Sequence, residues 1–212
     1  MKIVIAPDSF KESLTAEEVI DLLGKEAGCE EEISQITSQA MRGKLDFETS
    51  LRARVALLKG LPVSVFDTVF KSIHLSKNAQ EFISILQKKG ILVGLVSGGF
   101  TPIVERLAKS LGISYFSANQ LEVKDGFLTG KSVGEIVTGQ VKKATLERWR
   151  KELELPKERT IAIGDGANDL LMLKSAGRGI AFCAKEVVKT EIACHVDTRD
   201  FLEVLPLIDF LE

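Results

Sequence analysis

Cysteine, tryptophan and tyrosine are scarce in this chain, and its net charge is small. Among 212 residues there are three cysteines, one tryptophan and one tyrosine. Cys29, Cys183 and Cys194 are odd in number and have no Cys-x-x-Cys spacing, so the sequence suggests neither a disulfide framework nor a zinc site. We therefore expect the chain to work in the reducing cytoplasm.

Charge of one sign and long apolar runs are also lacking. Lys and Arg number 28 against 30 Asp and Glu, and the pI is about 5.9. The chain has no excess of positive charge with which to bind the phosphate backbone of a nucleic acid, and this disfavours nucleic acid as a partner. The apolar opening is interrupted by Pro7-Asp8, too early for a signal peptide or a spanning helix, so we also expect no membrane partner.

The length suits one α/β domain with a sizeable insert. Residues 2–6 form a β-branched run that ends at Pro7, which predicts a short buried strand. From about Thr15 to Phe70 the spacing of apolar residues becomes helical. That spacing is carried by Val19, Leu22, Leu23, Leu51, Val55 and Leu58.

Further strands are predicted later in the chain. Residues 91–96 follow a predicted helix at 79–89, and residues 160–164 follow another at 140–153. A hairpin is expected at 121–128 around Asp125-Gly126, and a late strand at 179–182. Strands that alternate with helices indicate an α/β fold with a parallel sheet, whose carboxyl edge is where ligands bind.

Two polar segments follow predicted strands at that edge. In residues 164–169, Asp165, Asn168 and Asp169 are expected to face outward where a helix begins, and carboxylates with an amide suit Mg²⁺. The alternative is a turn with a helix cap. Ser97-Gly98-Gly99 is interpreted as a turn whose N–H groups and hydroxyl could hold phosphate, or simply as a turn.

Lys142 lies on the helix predicted at 140–153, before the strand predicted at 160–164. It could neutralise phosphate, although an isolated lysine is usually a solvated side chain.

Several segments, taken in order, resemble the phosphoserine phosphatase family of the haloacid dehalogenase superfamily from about Glu18 to the C-terminus. Those segments are EVID at 18–21, MRGKLDF at 41–47, SLRARV at 50–55, VSGGF at 96–100, AN at 118–119, DG at 125–126, TG at 129–130 and GDGAND at 164–169.

The resemblance implies a three-layer, Rossmann-like parallel sheet of the haloacid dehalogenase type, with a small helical cap inserted after the first strand. The core would comprise residues 1–13 and 75–212, and the cap residues 14–74. The implied activity is Mg²⁺-dependent hydrolysis of O-phospho-L-serine in serine biosynthesis, by a monomer or homodimer.

The resemblance also implies roles for individual residues. Ser97, Gly98 and Lys142 would bind phosphate, and Asp165 would bind Mg²⁺ with Asn168 and Asp169 in support. In the cap, Glu18 and Arg54 would hold the amino and carboxylate groups of serine, and Met41 and Phe47 would form an apolar lid. A charge pair of opposite sign suits a zwitterion. Without the resemblance, Glu18 and Arg54 would be interpreted as surface charges.

The first strand departs from the family, which has Asp-x-Asp-Ser-Thr there. This chain has Ala6-Pro7-Asp8-Ser9-Phe10. If Asp8 is the nucleophile and a metal ligand, the general-acid position holds Phe10. If Asp8 matches the second Asp, the nucleophile position holds Ala6. Asp8 could also be only a cap or turn residue.

The opening residues 1–16 instead resemble the amino terminus of glycerate kinases. Two functions therefore stay open, namely an impaired phosphatase and a phosphatase-fold protein that binds phosphate or phosphoserine without cleaving it.

Overall fold

The structure, a computed structural model, describes residues 2–6 and 16–208. Seven strands form one sheet in the order β4-β3-β2-β1-β5-β6-β7, in which β3 and β4 are antiparallel and the other pairs are parallel. The strands are β1 (Lys2–Ala6), β2 (Ile91–Phe100), β3 (Tyr115–Lys124), β4 (Phe127–Val133), β5 (Thr160–Gly164), β6 (Arg178–Phe182) and β7 (His195–Val196).

Helices connect and cover these strands. Five of them lie between β1 and β2, and the others lie between or after the later strands. The helices are α1 (Ala16–Ala27), α2 (Glu30–Met41), α3 (Phe47–Ala56), α4 (Val65–Lys71), α5 (Ala79–Lys88), α6 (Thr101–Ser110), α7 (Gly139–Glu152), α8 (Leu170–Ser175), α9 (Glu186–Lys189) and α10 (Leu205–Ile208). The described helices include none long and apolar enough to cross a bilayer.

The sheet is the middle of three layers. Successive residues of a strand point to opposite faces, so Ile3 and Ile5 pack on one side of β1 and Val4 on the other. Helices α7, α8 and α9 cover the Ile3 face, and α5, α6 and α10 cover the Val4 face. Both faces of the central strands are buried, which is why these strands read as continuous apolar runs. The predicted fold class is confirmed.

Strand β2 is longer than predicted. It continues through Ser97, Gly98 and Gly99 to Phe100, so the prediction of a turn after residue 96 is wrong. Its pairing with β3 is regular up to Val96 and resumes at Phe100, opposite Asn119, after a shift of register. The two glycines are thus accommodated by an irregularity within the strand, where a missing side chain lets the backbone bend.

The hairpin between β3 and β4 forms at the predicted Asp125-Gly126. Both residues have positive φ, 53° and 83°, as a two-residue hairpin turn requires. The predicted hairpin, 121–128, included only the second half of β3. That strand begins earlier, at Tyr115.

Helices α1 to α4 form the predicted helical insert, with an apolar core of their own. That core includes Val19, Leu23, Leu51, Val55 and Leu58, which carry the helical spacing in the sequence. It also extends to Phe100 at the end of β2 and to Ile103 in α6. The insert therefore packs directly on the end of the strand that carries Ser97.

Candidate active site

The candidate site lies at the carboxyl edge of the sheet, where β2 and β5 flank β1. Ala6 ends β1 and is level with Leu95 of β2, and Ile5 is level with Ala162 of β5. Ser97 follows Leu95 closely on β2, and Asp165 comes directly after the end of β5. The chain order changes direction across β1, and such a switch point forms a crevice in α/β sheets.

A buried ion pair joins α7 to the loop after β5. Lys142 Nζ lies 2.7 Å from Asp169 Oδ1, and both side chains are 1% exposed. The second oxygen, Asp169 Oδ2, accepts hydrogen bonds from the backbone N–H of Asp165 (3.2 Å) and of Gly166 (3.1 Å). Asp169 thus fixes both the lysine of α7 and the loop that begins with Asp165. Charged groups this deeply buried are found paired in this way.

This arrangement corrects the prediction that both carboxylates face outward. Asp165 is half-buried and Asn168 is exposed, but Asp169 points inward. The reason is Lys142, which reaches the same place from α7 and is buried rather than solvated. The sequence predicts that Lys142 neutralises phosphate. In the structure its ammonium is buried and already has Asp169 as a counter-charge.

Two glycines make room for this loop. A Cβ on Gly164 would lie 2.6 Å from Asp169 Cβ, and a Cβ on Gly139 would lie 2.8 Å from the Asn168 carbonyl oxygen. Both distances are shorter than carbon contacts allow. Gly139 is the first residue of α7, so its missing side chain lets the helix of Lys142 approach the Asp165 loop.

Ser97 is held in place by short-range and cross-strand bonds. Its side chain is buried, and its Oγ accepts a hydrogen bond from Gly99 N–H at 2.9 Å. Asn119 Nδ2 donates to the Gly98 carbonyl oxygen at 2.7 Å, and Asn119 Oδ1 accepts from Val137 N–H at 2.8 Å. Asn119 therefore ties the Ser97 segment to the chain that leads into α7.

Sequence reasoning missed the positional role of Asn119. The residue entered the sequence comparison only as part of a two-residue match, without a function. Its position two residues before the hairpin predicted at 121–128 gave no sign of burial, and its side chain is 1% exposed in the structure. A buried amide must be hydrogen-bonded, and both of its polar atoms are.

The helical insert supplies the other predicted site residues. Arg54, on α3, is 3% exposed, which contradicts its interpretation as a surface charge. Burial lowers the pKa of the Arg54 guanidinium below its ordinary value, and the nearby carboxylates of Glu17 and Asp21 oppose that change. The pKa of Asp21 is raised, chiefly by burial, with Arg54 opposing.

The remaining predicted residues of the insert are exposed. Glu18 lies on the first turn of α1, Met41 ends α2 and is 81% exposed, and Phe47 begins α3 and is 39% exposed. These two large exposed apolar side chains lie on either side of the short connection between α2 and α3, and the lid assigned to them stays a prediction.

Metal-binding capacity rests on oxygen ligands. Residues 2–6 and 16–208 contain no cluster of three or more His, Cys, Asp or Glu side chains suited to a metal ion. They do place half-buried Asp165 directly after β5, at the carboxyl edge of the sheet, and Mg²⁺ commonly uses only one or two carboxylates with water and phosphate oxygens. The described residues therefore fit a Mg²⁺ site of that sparse type. Asp8, the other predicted ligand and the predicted nucleophile, lies outside the described residues.

Comparison with known proteins places the chain in a family. The family model of haloacid dehalogenase-like hydrolases matches residues 12–174. A phosphoserine phosphatase of Streptococcus thermophilus is 54% identical over 93% of this chain and 92% of its own length. One of Methanocaldococcus jannaschii is 44% identical over 94% of each chain.

Solved structures agree with that placement. A substrate-bound phosphoserine phosphatase complex superposes with a TM-score of 0.86, at 41% identity and 98% coverage of both chains. An unliganded probable phosphoserine phosphatase of Vibrio cholerae gives a TM-score of 0.91 at 35% identity, over 98% of this chain and 64% of that one. The chain therefore belongs to the haloacid dehalogenase-like hydrolase family, in its phosphoserine phosphatase branch.

Proposed function

We propose that this chain hydrolyses O-phospho-L-serine to L-serine and phosphate with Mg²⁺, and that it does so slowly. The observation that carries the proposal is the buried Lys142–Asp169 pair, because it holds a cation and the Asp165 loop together at the carboxyl edge of the sheet. Preorganised charge of this kind is the main catalytic asset in phosphoryl transfer. The relatives named phosphoserine phosphatase support the choice of substrate.

Phosphate binding is assigned to residues on both sides of β1. We assign contacts to the Ser97 hydroxyl, the Gly98 backbone N–H, the Lys142 ammonium and the Asn168 amide. Ser97 and Gly98 are held by Gly99 and Asn119, so their positions are set before a ligand arrives. Groups that are already ordered in the free protein lose little conformational entropy when a ligand binds.

The nucleophile is assigned to Asp8 by a count along paired strands. Ala6 pairs with Leu95, and Ile5 pairs with Ala162. Asp8 is two positions after Ala6 in the sequence, just as Ser97 is two positions after Leu95. Asp8 is also three positions after Ile5, just as Asp165 is three positions after Ala162. These equal separations favour Asp8 over Ala6 for the attacking position.

The reaction then has two steps. An Asp8 carboxylate oxygen attacks phosphorus while the bond to the serine oxygen breaks, and the departing oxygen takes a proton from water. A water molecule next attacks the aspartyl-phosphate, releasing phosphate and restoring the Asp8 carboxylate. The family's general-acid position holds Phe10, which has no proton to give, and a missing general acid slows such reactions by about 10²- to 10⁴-fold.

Magnesium is assigned to Asp8 and Asp165. When bound, the ion offsets charge on the transferring phosphoryl group.

The amino-acid part of the substrate is assigned to the cap, residues 14–74. Glu18 would bind the amino group, Arg54 the carboxylate, and Met41 and Phe47 would cover the ligand. A buried arginine can take a carboxylate through two parallel hydrogen bonds. We further propose that the protein acts in the cytoplasm as a monomer or homodimer, in serine biosynthesis.

A second candidate function follows from the missing Asp-x-Asp pair. If neither Asp8 nor Ala6 supplies a nucleophile, the same residues would bind phosphoserine without cleaving it. That function is favoured only by the sequence Ala6-Pro7-Asp8-Ser9-Phe10, which lacks the Asp-x-Asp pair.

Phosphate release from phosphoserine tests the proposal. We expect release that depends on Mg²⁺, stops with a chelator and falls at least about 100-fold in Lys142→Met. Phosphoethanolamine, which lacks the carboxylate, is the matched control and should be a poorer substrate. Tight binding of phosphoserine with no release at any Mg²⁺ concentration would favour the non-catalytic candidate.

A further inference from the structure

A buried hydroxyl without a partner lies in the cap. Ser50, on α3, is 1% exposed. Within residues 2–6 and 16–208, its Oγ is the one buried side-chain oxygen or nitrogen that has no hydrogen-bond partner. Leaving a buried hydroxyl unbonded is unfavourable, so such a group in a native site calls for an explanation.

Arg54 lies directly beside Ser50. The two residues are four apart on α3 and so share one face of the helix. Arg54 Nε donates to the Ser50 carbonyl oxygen at 3.3 Å, which shows that the arginine side chain folds back over the turn of Ser50. The guanidinium and the unpartnered hydroxyl therefore occupy the same small region of the cap.

Among the described residues, the guanidinium is itself only partly hydrogen-bonded. Arginine has five N–H donors, and in the described part of the chain Arg54 donates two hydrogen bonds, to Ser50 O and to Thr37 Oγ1 at 3.5 Å. The Thr37 hydroxyl already donates to the Ile33 carbonyl oxygen at 3.0 Å, so it faces Arg54 as an acceptor. The carboxylates of Glu17 and Asp21 act on the guanidinium by charge, and no hydrogen bond joins either of them to it among the described residues.

We propose that Ser50 Oγ donates a hydrogen bond to the same substrate carboxylate that Arg54 binds. A carboxylate accepts through two oxygens, so one can take an Arg54 N–H while the other takes the Ser50 hydroxyl. The ligand class is an α-amino acid phosphomonoester, and Ser50 is a residue that selects for its carboxylate. This inference rests on the proposed function.

The hydroxyl would have opposite effects on stability and on binding. In the free protein it is buried and unbonded, so Ser50→Ala should leave the free energy of unfolding unchanged or raise it. In the complex the same substitution removes a hydrogen bond to a charged group. A purely structural serine would not weaken ligand binding while sparing stability.

Two phosphonates that resist hydrolysis provide the test. L-2-Amino-4-phosphonobutyrate matches phosphoserine with a CH₂ in place of the ester oxygen, and 3-aminopropylphosphonate is the same molecule without the carboxylate. Calorimetric titration of both would be compared in the parent, Ser50→Ala, Arg54→Met and the double variant. We expect Ser50→Ala to weaken the first ligand about tenfold and the second not at all, with little further loss in the Arg54→Met background.

The outcomes separate this inference from the proposed function. Equal weakening of both phosphonates, or no weakening of the first, would overturn the role of Ser50 and leave phosphoserine binding intact. A parent that binds neither phosphonate would remove the proposed function and the Ser50 contact with it.

Discussion

Lys142 Nζ and Asp169 Oδ1 are 2.7 Å apart with both side chains buried, and the pair joins α7 to the loop after β5. Its two partners come from elements that are separated in sequence but adjacent in space. Because the other oxygen of Asp169 holds two backbone N–H groups, one carboxylate positions both Lys142 and the loop that begins with Asp165.

Breaking this pair should cost much more stability than breaking an exposed one. Asp169→Asn leaves a buried ammonium without its counter-charge, and we expect a loss of about 3–5 kcal/mol in the free energy of unfolding. The control is Glu191→Gln, which breaks the Lys174–Glu191 pair of 2.6 Å at side chains that are 51% and 49% exposed. That change should cost less than about 1 kcal/mol. Similar losses in urea unfolding would contradict the role given to burial.

Asn119→Ala should loosen the Ser97 segment. The substitution leaves the Gly98 carbonyl and the Val137 N–H without their partner, and we expect a loss of about 2–3 kcal/mol in stability. The affinity for inorganic phosphate should fall with it, because the segment that carries Ser97 and Gly98 loses its tie to Asn119. Gln120→Ala, at the exposed neighbour on β3, should change neither quantity in thermal unfolding and phosphate titration. Unchanged phosphate affinity in Asn119→Ala would argue against the segment being the phosphate site.

Gly139→Ala should push α7 away from the Asp165 loop. The added Cβ would meet the Asn168 carbonyl oxygen at 2.8 Å, so either the helix or the loop must move. We expect a destabilisation of about 1–3 kcal/mol together with a lower rate of phosphate release. The exposed neighbour Gln140→Ala tests whether any alanine at this helix start has the same effect, and it should be nearly silent.

Much of the fold follows from local sequence. Ile3, Val4 and Ile5 predict a strand buried on both faces, and Asp125-Gly126 predicts the hairpin turn, because strand burial and turn geometry depend on neighbouring residues.

The direction in which site residues point did not follow from local sequence. Asp169 was expected to face outward because nothing near it in sequence reveals Lys142, 27 positions away. The same reason hid the role of Asn119, whose partners lie in β2 and before α7. Gly98 and Gly99 suggested a turn, since the irregular pairing with β3 that accommodates them is also a long-range feature.

Acid should destabilise the protein partly through Asp200. Its carboxylate is bound by Lys77, by Asn78 Nδ2 and by Leu202 N–H, and these contacts, Lys77 first, lower its pKa below the ordinary 3.8. Because the folded pKa is the lower one, the stabilisation is present above about pH 3.8 and is lost as the pH falls through the folded pKa.

Asp200→Asn removes that titration. Compared with the parent, it should be less stable at pH 7, and its free energy of unfolding should fall less steeply between about pH 5 and pH 2. Urea unfolding at a series of pH values measures both slopes. Parallel curves for the two proteins would show that Asp200 does not contribute to acid unfolding.

The most direct measurement is phosphate release from O-phospho-L-serine with Mg²⁺ by the parent, Asp8→Asn, Ala6→Asp and Phe10→Asp. If Asp8 is the nucleophile, the parent turns over slowly and Asp8→Asn loses that activity. Phe10→Asp then supplies the missing acid and raises the rate by about 10²- to 10⁴-fold, while Ala6→Asp gives no gain. A silent parent that gains activity only in Ala6→Asp, or an Asp8→Asn variant as active as the parent, would contradict the assignment.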